Sequence, residues 1–314
     1  MTPADYAAAK RAAVQKALTK AGVTAEVLAP IIVPRRSRRR AVFKIKSLPQ
    51  GLHIGFHAAK SHTIVDMHQC EVLTPGLFAL VTALRQRFEP LFGVGEAAEL
   101  HVTETETGFD CALRWRAGLT PALTAALSTA LSCLGIARLT MGRDIVFETA
   151  GPRMTLGGVA VLLPPDPFLQ STPQGEAALQ DRVLGIVGKA RTVVDLFAGC
   201  GTFALPLAKR ARVHAVEQDQ GALKALAQAA RSPHLKPVTV EARDLFRQPL
   251  TAVELAPYEA VVLDPPRAGA ESQAKMLAKS KSPSLPMSPA TRPVSPVMPP
   301  SWLQAASKSA PSSR

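Results

Sequence analysis

Four cysteines in 314 residues are too few and too irregularly spaced for a disulfide framework. That excludes a small stapled secreted scaffold and places the chain in a reducing cytoplasm. No charge-free apolar run reaches the roughly 18 residues a membrane span needs, and the stretch from Met1 to Gly22 is broken by Asp5, Lys10, Arg11, Lys16 and Lys20, so it has no secretory core. Acidic residues are scarce: 24 Asp and Glu face 37 Lys and Arg, a formal charge of +13 with a pI near 10.0. Such an excess favours a polyanionic partner such as nucleic acid, while charge alone leaves an anionic membrane surface open. Residues 1–165 hold 19 basic and 12 acidic side chains, so most of the excess lies in the N-terminal half. With 47% hydrophobic residues the chain is globular, and no protein partner is indicated.

What is present falls into three stretches. Thr2 and Pro3 open an Ala- and Lys-rich helix that runs to Ala21 and stops at Gly22. The run Arg35-Arg36-Ser37-Arg38-Arg39-Arg40 leads into an alternating strand, Ala41–Ile45, with Leu52–His57 as its hairpin partner. A helix is expected over Pro75–Phe92, and two further strands, Glu99–Thr103 and Phe109–Trp115, flank a Glu-Thr-Gly turn. Residues 1–165 therefore read as a smaller α+β domain. From Thr192 the rhythm changes: short apolar strands at Val193–Asp195, Val213–Glu217, Val238–Val240 and Ala260–Asp264 alternate with helical stretches, as in a doubly wound parallel sheet. Residues 166–281 read as this Rossmann-like α/β domain. Residues 282–314 contain eight Pro, nine Ser and no acid, a composition expected to stay disordered.

The first of those parallel strands ends in Asp195-Leu196-Phe197-Ala198-Gly199-Cys200-Gly201. Gly199 and Gly201 let the backbone pass close to a ligand. Glu217 follows 22 residues after Asp195 at the end of the next strand, where a carboxylate can accept both ribose hydroxyls of a nucleoside. A dinucleotide site would want a third glycine and a pyrophosphate cradle, so the spacing suits S-adenosylmethionine better. Cys200 reads as a small turn residue. Asp264-Pro265-Pro266-Arg267-Ala268-Gly269 closes the fourth strand at the carboxyl edge of the sheet, where open α/β folds bind ligands. An ordinary βα turn is the bland alternative for the glycine pair, and a solvated strand edge is the bland alternative for the Arg run.

Together these residues resemble the S-adenosylmethionine-dependent RNA uracil-C5 methyltransferases, which make 5-methyluridine in ribosomal and transfer RNA. The resemblance rests on Phe168-Leu169-Gln170, Asp195 to Gly201, Glu217, Asp244 and the Asp264 to Gly269 motif, with Arg38-Arg39-Arg40-Ala41, Gly55-Phe56-His57 and Ile64 to Cys70 upstream. It implies a class I methyltransferase domain that binds the cofactor through Gln170, Asp195, Phe197, Gly199, Gly201, Glu217, Asp244 and Asp264. Separately from the resemblance, the run Arg35, Arg36, Arg38, Arg39 and Arg40, beside strands in the basic half of the chain, is expected to contact RNA phosphates. Cys70 takes the place of the fourth ligand to the 4Fe-4S cluster of the iron–sulfur branch, whose other three ligands precede the first helix. One thiolate cannot hold such a cluster, so Cys70 is expected to be an orphan ligand, or simply a buried small residue, and the chain is expected to lack the cluster.

The resemblance further implies a nucleophilic Cys in an S-C-N-P segment after the Asp-Pro-Pro-Arg motif and a Glu base beyond it. Residues 282–314 contain neither Cys nor Glu. Codons compatible with Met287 to Pro293, read one base earlier, spell Y-V-S-C-N-P-A, so the tail is expected to be an out-of-frame continuation of a sheet that should carry further strands, with a genuine Ser/Pro-rich disordered tail as the alternative. As given, the chain is expected to have no catalytic residue for uracil. Two other readings stay open: a noncatalytic RNA-binding fragment, and a methyltransferase on a substrate that needs no Cys.

Overall fold

The computed structural model describes residues 2–59, 61–266 and 268–280. Arg267 and the expected disordered tail lie outside them. The described chain forms two units, one made of residues 33–155 and 160–176, the other of residues 2–32, 156–159 and 177–280. This division differs from the expected boundary at 165: the N-terminal helix groups with the C-terminal unit, and residues 166–176 with the first.

In the C-terminal unit, helix α1 (Pro3–Lys20) starts as expected, with a capping box in which the Thr2 and Asp5 side chains satisfy each other's backbone amides. The first unit follows with strands β1 (Arg40–Leu48), β2 (Gly51–His57) and β3 (Ile64–Asp66). Helix α2 (Pro75–Phe88) passes into a 3-10 turn at Glu89–Leu91. The helix ends four residues earlier than its periodicity suggests because Pro90 has no amide to donate to the ladder. Strands β4 (Ala97–Thr105) and β5 (Gly108–Trp115), helix α3 (Pro121–Leu131), and strands β6 (Ile136–Met141) and β7 (Asp144–Glu148) complete a seven-stranded sheet of order β3-β2-β1-β4-β5-β6-β7. All its pairs are antiparallel except β5 with β6. Strand β1 buries every second residue, and Phe43 and Ile45 face a core built with Leu77, Leu84 and Phe88 of α2 and Leu127 and Leu131 of α3. On the other face stand Arg40, Lys44, Glu99, His101 and Arg114.

A short hairpin, β8 (Arg153–Leu156) with β9 (Val159–Leu162), leads to helix α4 (Pro173–Val187), within which the division between units falls. The C-terminal unit then alternates β10 (Thr192–Leu196), α5 (Ala204–Ala208), β11 (Arg212–Glu217), α6 (Gln220–Ala229), β12 (Val238–Ala242), α7 (Ala252–Leu255), β13 (Ala260–Leu263) and α8 (Glu271–Lys279). Its four strands are parallel, in the order β12-β11-β10-β13. Strands β10 and β13 are buried on both faces apart from Thr192, which explains why they read as near-continuous Val and Leu. Val194, Leu196, Val261 and Leu263 pack with Leu255 of α7 and Ala274 and Leu277 of α8. The fully buried Gln273 ties α8 down by exchanging two hydrogen bonds with the backbone of Leu250, at 2.8 and 3.1 Å.

Candidate cofactor and RNA sites

Strand order places the site of the C-terminal unit. The chain leaves β10 toward β11 on one side and reaches β13 on the other, so the crevice opens at the carboxyl ends of β10, β11 and β13. The turn after β10 is bent by three residues with left-handed backbones, Phe197 (φ 63°), Gly199 (φ 54°) and Gly201 (φ 98°). Gly201 is required by packing, since a Cβ there would come within 2.5 Å of Leu226 Cδ1 and 2.9 Å of Leu205 Cγ. A Cβ on Gly199 would meet no atom within 4 Å, so this glycine borders open space of the kind a ligand fills. Phe197, an L-residue in the left-handed region, is held by its N–H bond to Val216 O (2.9 Å) and by edge contact with Phe246.

Glu217 closes this turn. Its Oε2 accepts from the Gly199 N–H at 3.0 Å, and its Oε1 accepts from the N–H groups of Gln218 and Asp219 at 2.7 and 3.0 Å. Asp264 sits at the end of β13, its N–H on Leu196 O at 3.3 Å. Asp195 is fully buried, and neither carboxylate oxygen has a hydrogen-bond partner. Burial first, and then the charges of Asp264 and Glu217, push its carboxyl well above the usual carboxylate range; the Ala204 amide offsets this only in part. Asp244 directs Oδ1 at the amides of Phe246 and Arg247 (2.9 and 3.2 Å), so its carboxylate organises the turn after β12. The Cys200 thiol is buried, and desolvation with the nearby Asp219 and Glu217 pushes it up to about 12, which keeps it protonated and unreactive.

Carboxylates around an open glycine turn, with one buried carboxylate left unpaired, fit a cationic nucleoside ligand such as S-adenosylmethionine. Cys70 Sγ lies 3.4 and 3.5 Å from the amides of Leu73 and Val72, Cys111 is buried and Cys133 exposed, and no group of three metal-ligating side chains occurs among the described residues.

In the first unit the Arg run is not a uniform basic edge. Arg39 is buried, its Nη2 2.8 Å from Glu176 Oε2 and its Nε on the Gln170 carbonyl at 3.3 Å, so it braces the fold and does not face outward as expected. Arg35 and Arg36 are exposed beside Glu71. Arg40 lies over the ring of Phe168, 5.2 Å from its centroid, and that ring is 66% exposed.

Two clusters carry no local sequence signal because their members are 25 to 65 residues apart. Arg138 makes a bidentate pair with Asp110 (2.9 and 2.8 Å) and also donates to the carbonyls of Leu163 and Pro164 (3.1 and 2.7 Å). Asp166, itself left-handed at φ 48°, is held by His101 Nδ1 at 3.0 Å and Arg114 Nη2 at 2.8 Å. Together with Arg39, these ties fix the irregular segment that carries Phe168-Leu169-Gln170. Gln170 itself is buried within the first unit.

The C-terminal unit thus has the architecture of the α/β folds that bind a nucleoside ligand at the carboxyl ends of parallel strands. An "uncharacterized RNA methyltransferase" of Rhizobium meliloti is 44% identical over 276 residues, 88% of this chain and 66% of the relative. A relative of the same description in Agrobacterium fabrum is 43% identical over 277 residues, 88% and 67%. A 23S rRNA (uracil(1939)-C(5))-methyltransferase of Tolumonas auensis is 28% identical over 295 residues, 89% and 67%. The chain spans about two thirds of the length of these curated relatives. It belongs to the family of RNA methyltransferases they represent. The fold is shared with the Pyrococcus abyssi tRNA (uracil-54, C5)-methyltransferase in complex with S-adenosyl-L-homocysteine, with a TM-score of 0.68 at 20% identity over 90% of this chain and 72% of that one. No family model matches the chain. None of its described helices is long and apolar enough to cross a membrane.

Proposed function

We propose that the chain is an S-adenosylmethionine-dependent RNA methyltransferase of the uracil-C5 type, working on ribosomal or transfer RNA in the cytoplasm. The observation that carries this reading is the junction of Glu217 with the Gly199 turn beside Asp195 and Asp264. Glu217 Oε2, which accepts only the Gly199 amide, keeps a lone pair for a ribose hydroxyl, Gly199 leaves the room, and Phe197 and Asp244 shape the walls. Gln170 and Asp264 are the remaining cofactor contacts that the family resemblance supports. The cofactor supplies an electrophilic methyl group.

Uracil C5 becomes a nucleophile only after a thiolate adds at C6, and a base must then remove the C5 proton. Cys200 cannot be that thiolate, since its burial keeps the proton on sulfur. The family resemblance places the thiolate after the Asp-Pro-Pro-Arg motif, and Cys70, Cys111 and Cys133 all precede it. The nucleophile is therefore assigned to the S-C-N-P segment that the alternative reading of residues 287–293 encodes. RNA binding falls to Arg35, Arg36, Arg38 and Arg40, with the exposed Phe168 ring open to stacking by an unpaired base.

Calorimetry tests the cofactor site. The chain binds S-adenosylmethionine, and Glu217→Ala weakens binding by about 10- to 100-fold, the value of charge-assisted hydrogen bonds worth about 1.5–3 kcal/mol. Unchanged affinity in Glu217→Ala would remove the ribose assignment.

A further inference from the structure

Asp195 is the residue whose state the reaction alone does not explain. It sits mid-sheet on β10, with Ala215 of β11 and Val262 of β13 opposite it in register, so its immediate neighbours are apolar. Both oxygens are buried and unpartnered. The charged groups acting on it are Asp264 at the end of β13 and Glu217 at the end of β11, both carboxylates; the Ala204 N–H at the start of α5 is the one favourable dipole. The Cys200 thiol of the intervening turn is neutral. A carboxylate desolvated with only the Ala204 amide to favour its charge, and facing two like charges, is costly to ionise.

We infer that Asp195 carries its proton in the free protein and surrenders it to solvent when a cationic cofactor enters, so that cofactor binding and proton release are a single event. S-adenosylmethionine brings a sulfonium and an ammonium against one carboxylate, and its net positive charge replaces the missing counter-ion. Glu217, already holding three amides, needs no such compensation. Asp195 is thus a positioning residue whose charge appears only in the loaded site. It makes the site selective for ligands with net positive charge. The inference rests on the cofactor site proposed above.

The test is calorimetric titration of the chain with S-adenosylmethionine at a series of pH values, starting where the free carboxyl is protonated, in buffers of different ionisation enthalpy. The expected result is about one proton released per cofactor bound, and an affinity that rises up to about tenfold per pH unit until the free carboxyl ionises. Asp195→Asn should bind with neither proton release nor that pH dependence. Binding by the natural chain without proton release overturns the inference alone, and so does release that persists in Asp195→Asn. Absence of any binding heat overturns the cofactor site as well. Should Asp195→Asn fail to fold, infrared spectroscopy of the ligand-free natural chain decides between a protonated and an ionised buried carboxyl.

Discussion

Asp195→Asn raises the unfolding temperature at neutral pH and leaves it unchanged near pH 4. The folded-state carboxyl titrates well above the usual carboxylate range, because burial and two neighbouring carboxylates oppose its charge. A group raised in this way lends its full stability below the unfolded-state value and loses it as pH climbs toward the folded-state value. The natural chain therefore falls behind its amide isostere by about 1.4 kcal/mol for each pH unit across that window, then runs parallel to it. Thermal unfolding of the two chains from pH 4 to 8 gives the curve. A substitution that destabilises at every pH would mean that Asp195 is ionised and paired in the folded protein. Such a trade of stability for a charge held ready is common at binding sites.

Asp110→Ala lowers stability by about 3–5 kcal/mol, with a fall in unfolding temperature on the order of 10 °C. The loss is large because the buried Arg138 loses its bidentate partner and keeps only the more distant Glu148 carboxylate, at 3.7 Å, and the carbonyls of Leu163 and Pro164. Burial pushes the Asp110 carboxyl up even with Arg138 beside it, so the pair adds little net stability over an apolar replacement. The double variant Asp110→Leu with Arg138→Leu accordingly recovers most of the loss. Denaturant unfolding of the three chains measures this, and a double variant as unstable as the single one would show that the pair itself stabilises the fold. The arrangement points to placement of the Phe168 segment as what the pair provides.

Most of the parallel sheet was legible because β10 and β13 are buried on both faces and β11 ends in a diagnostic residue. Val193-Val194-Asp195 and Ala260 to Leu263 read as strands from apolar runs alone, and Glu217 and Asp264 mark the carboxyl ends of β11 and β13. The first hairpin was legible for the opposite reason, since β1 alternates cleanly between core and surface. Strand β6 escaped because all six of its residues, Arg138 and Thr140 included, are buried, which gives no period of two. Strand β3 has only three residues and no apolar run. Arg39 was misplaced because a run of arginines reads as one charged edge, whereas strand alternation turns every second side chain inward, and only Glu176, 137 residues away, explains how that charge is tolerated. The unpaired state of Asp195 is likewise invisible in a motif, which records the residue type but not what surrounds it.

Methyl transfer from S-adenosylmethionine labelled in its methyl group, followed by digestion of the RNA and separation of its nucleosides, tests the assigned reaction most directly. Two chains are compared on ribosomal and transfer RNA lacking the modification: the sequence as given, and the same chain continued after residue 281 in the alternative reading with its S-C-N-P segment and downstream Glu. The expected result is labelled 5-methyluridine from the second chain and none from the first, because without a C6 adduct the C5 carbon has no carbanion character. Labelled 5-methyluridine from the sequence as given, persisting in Cys200→Ser, would contradict the assignment of the nucleophile, and label on any other nucleoside would contradict the uracil-C5 reading.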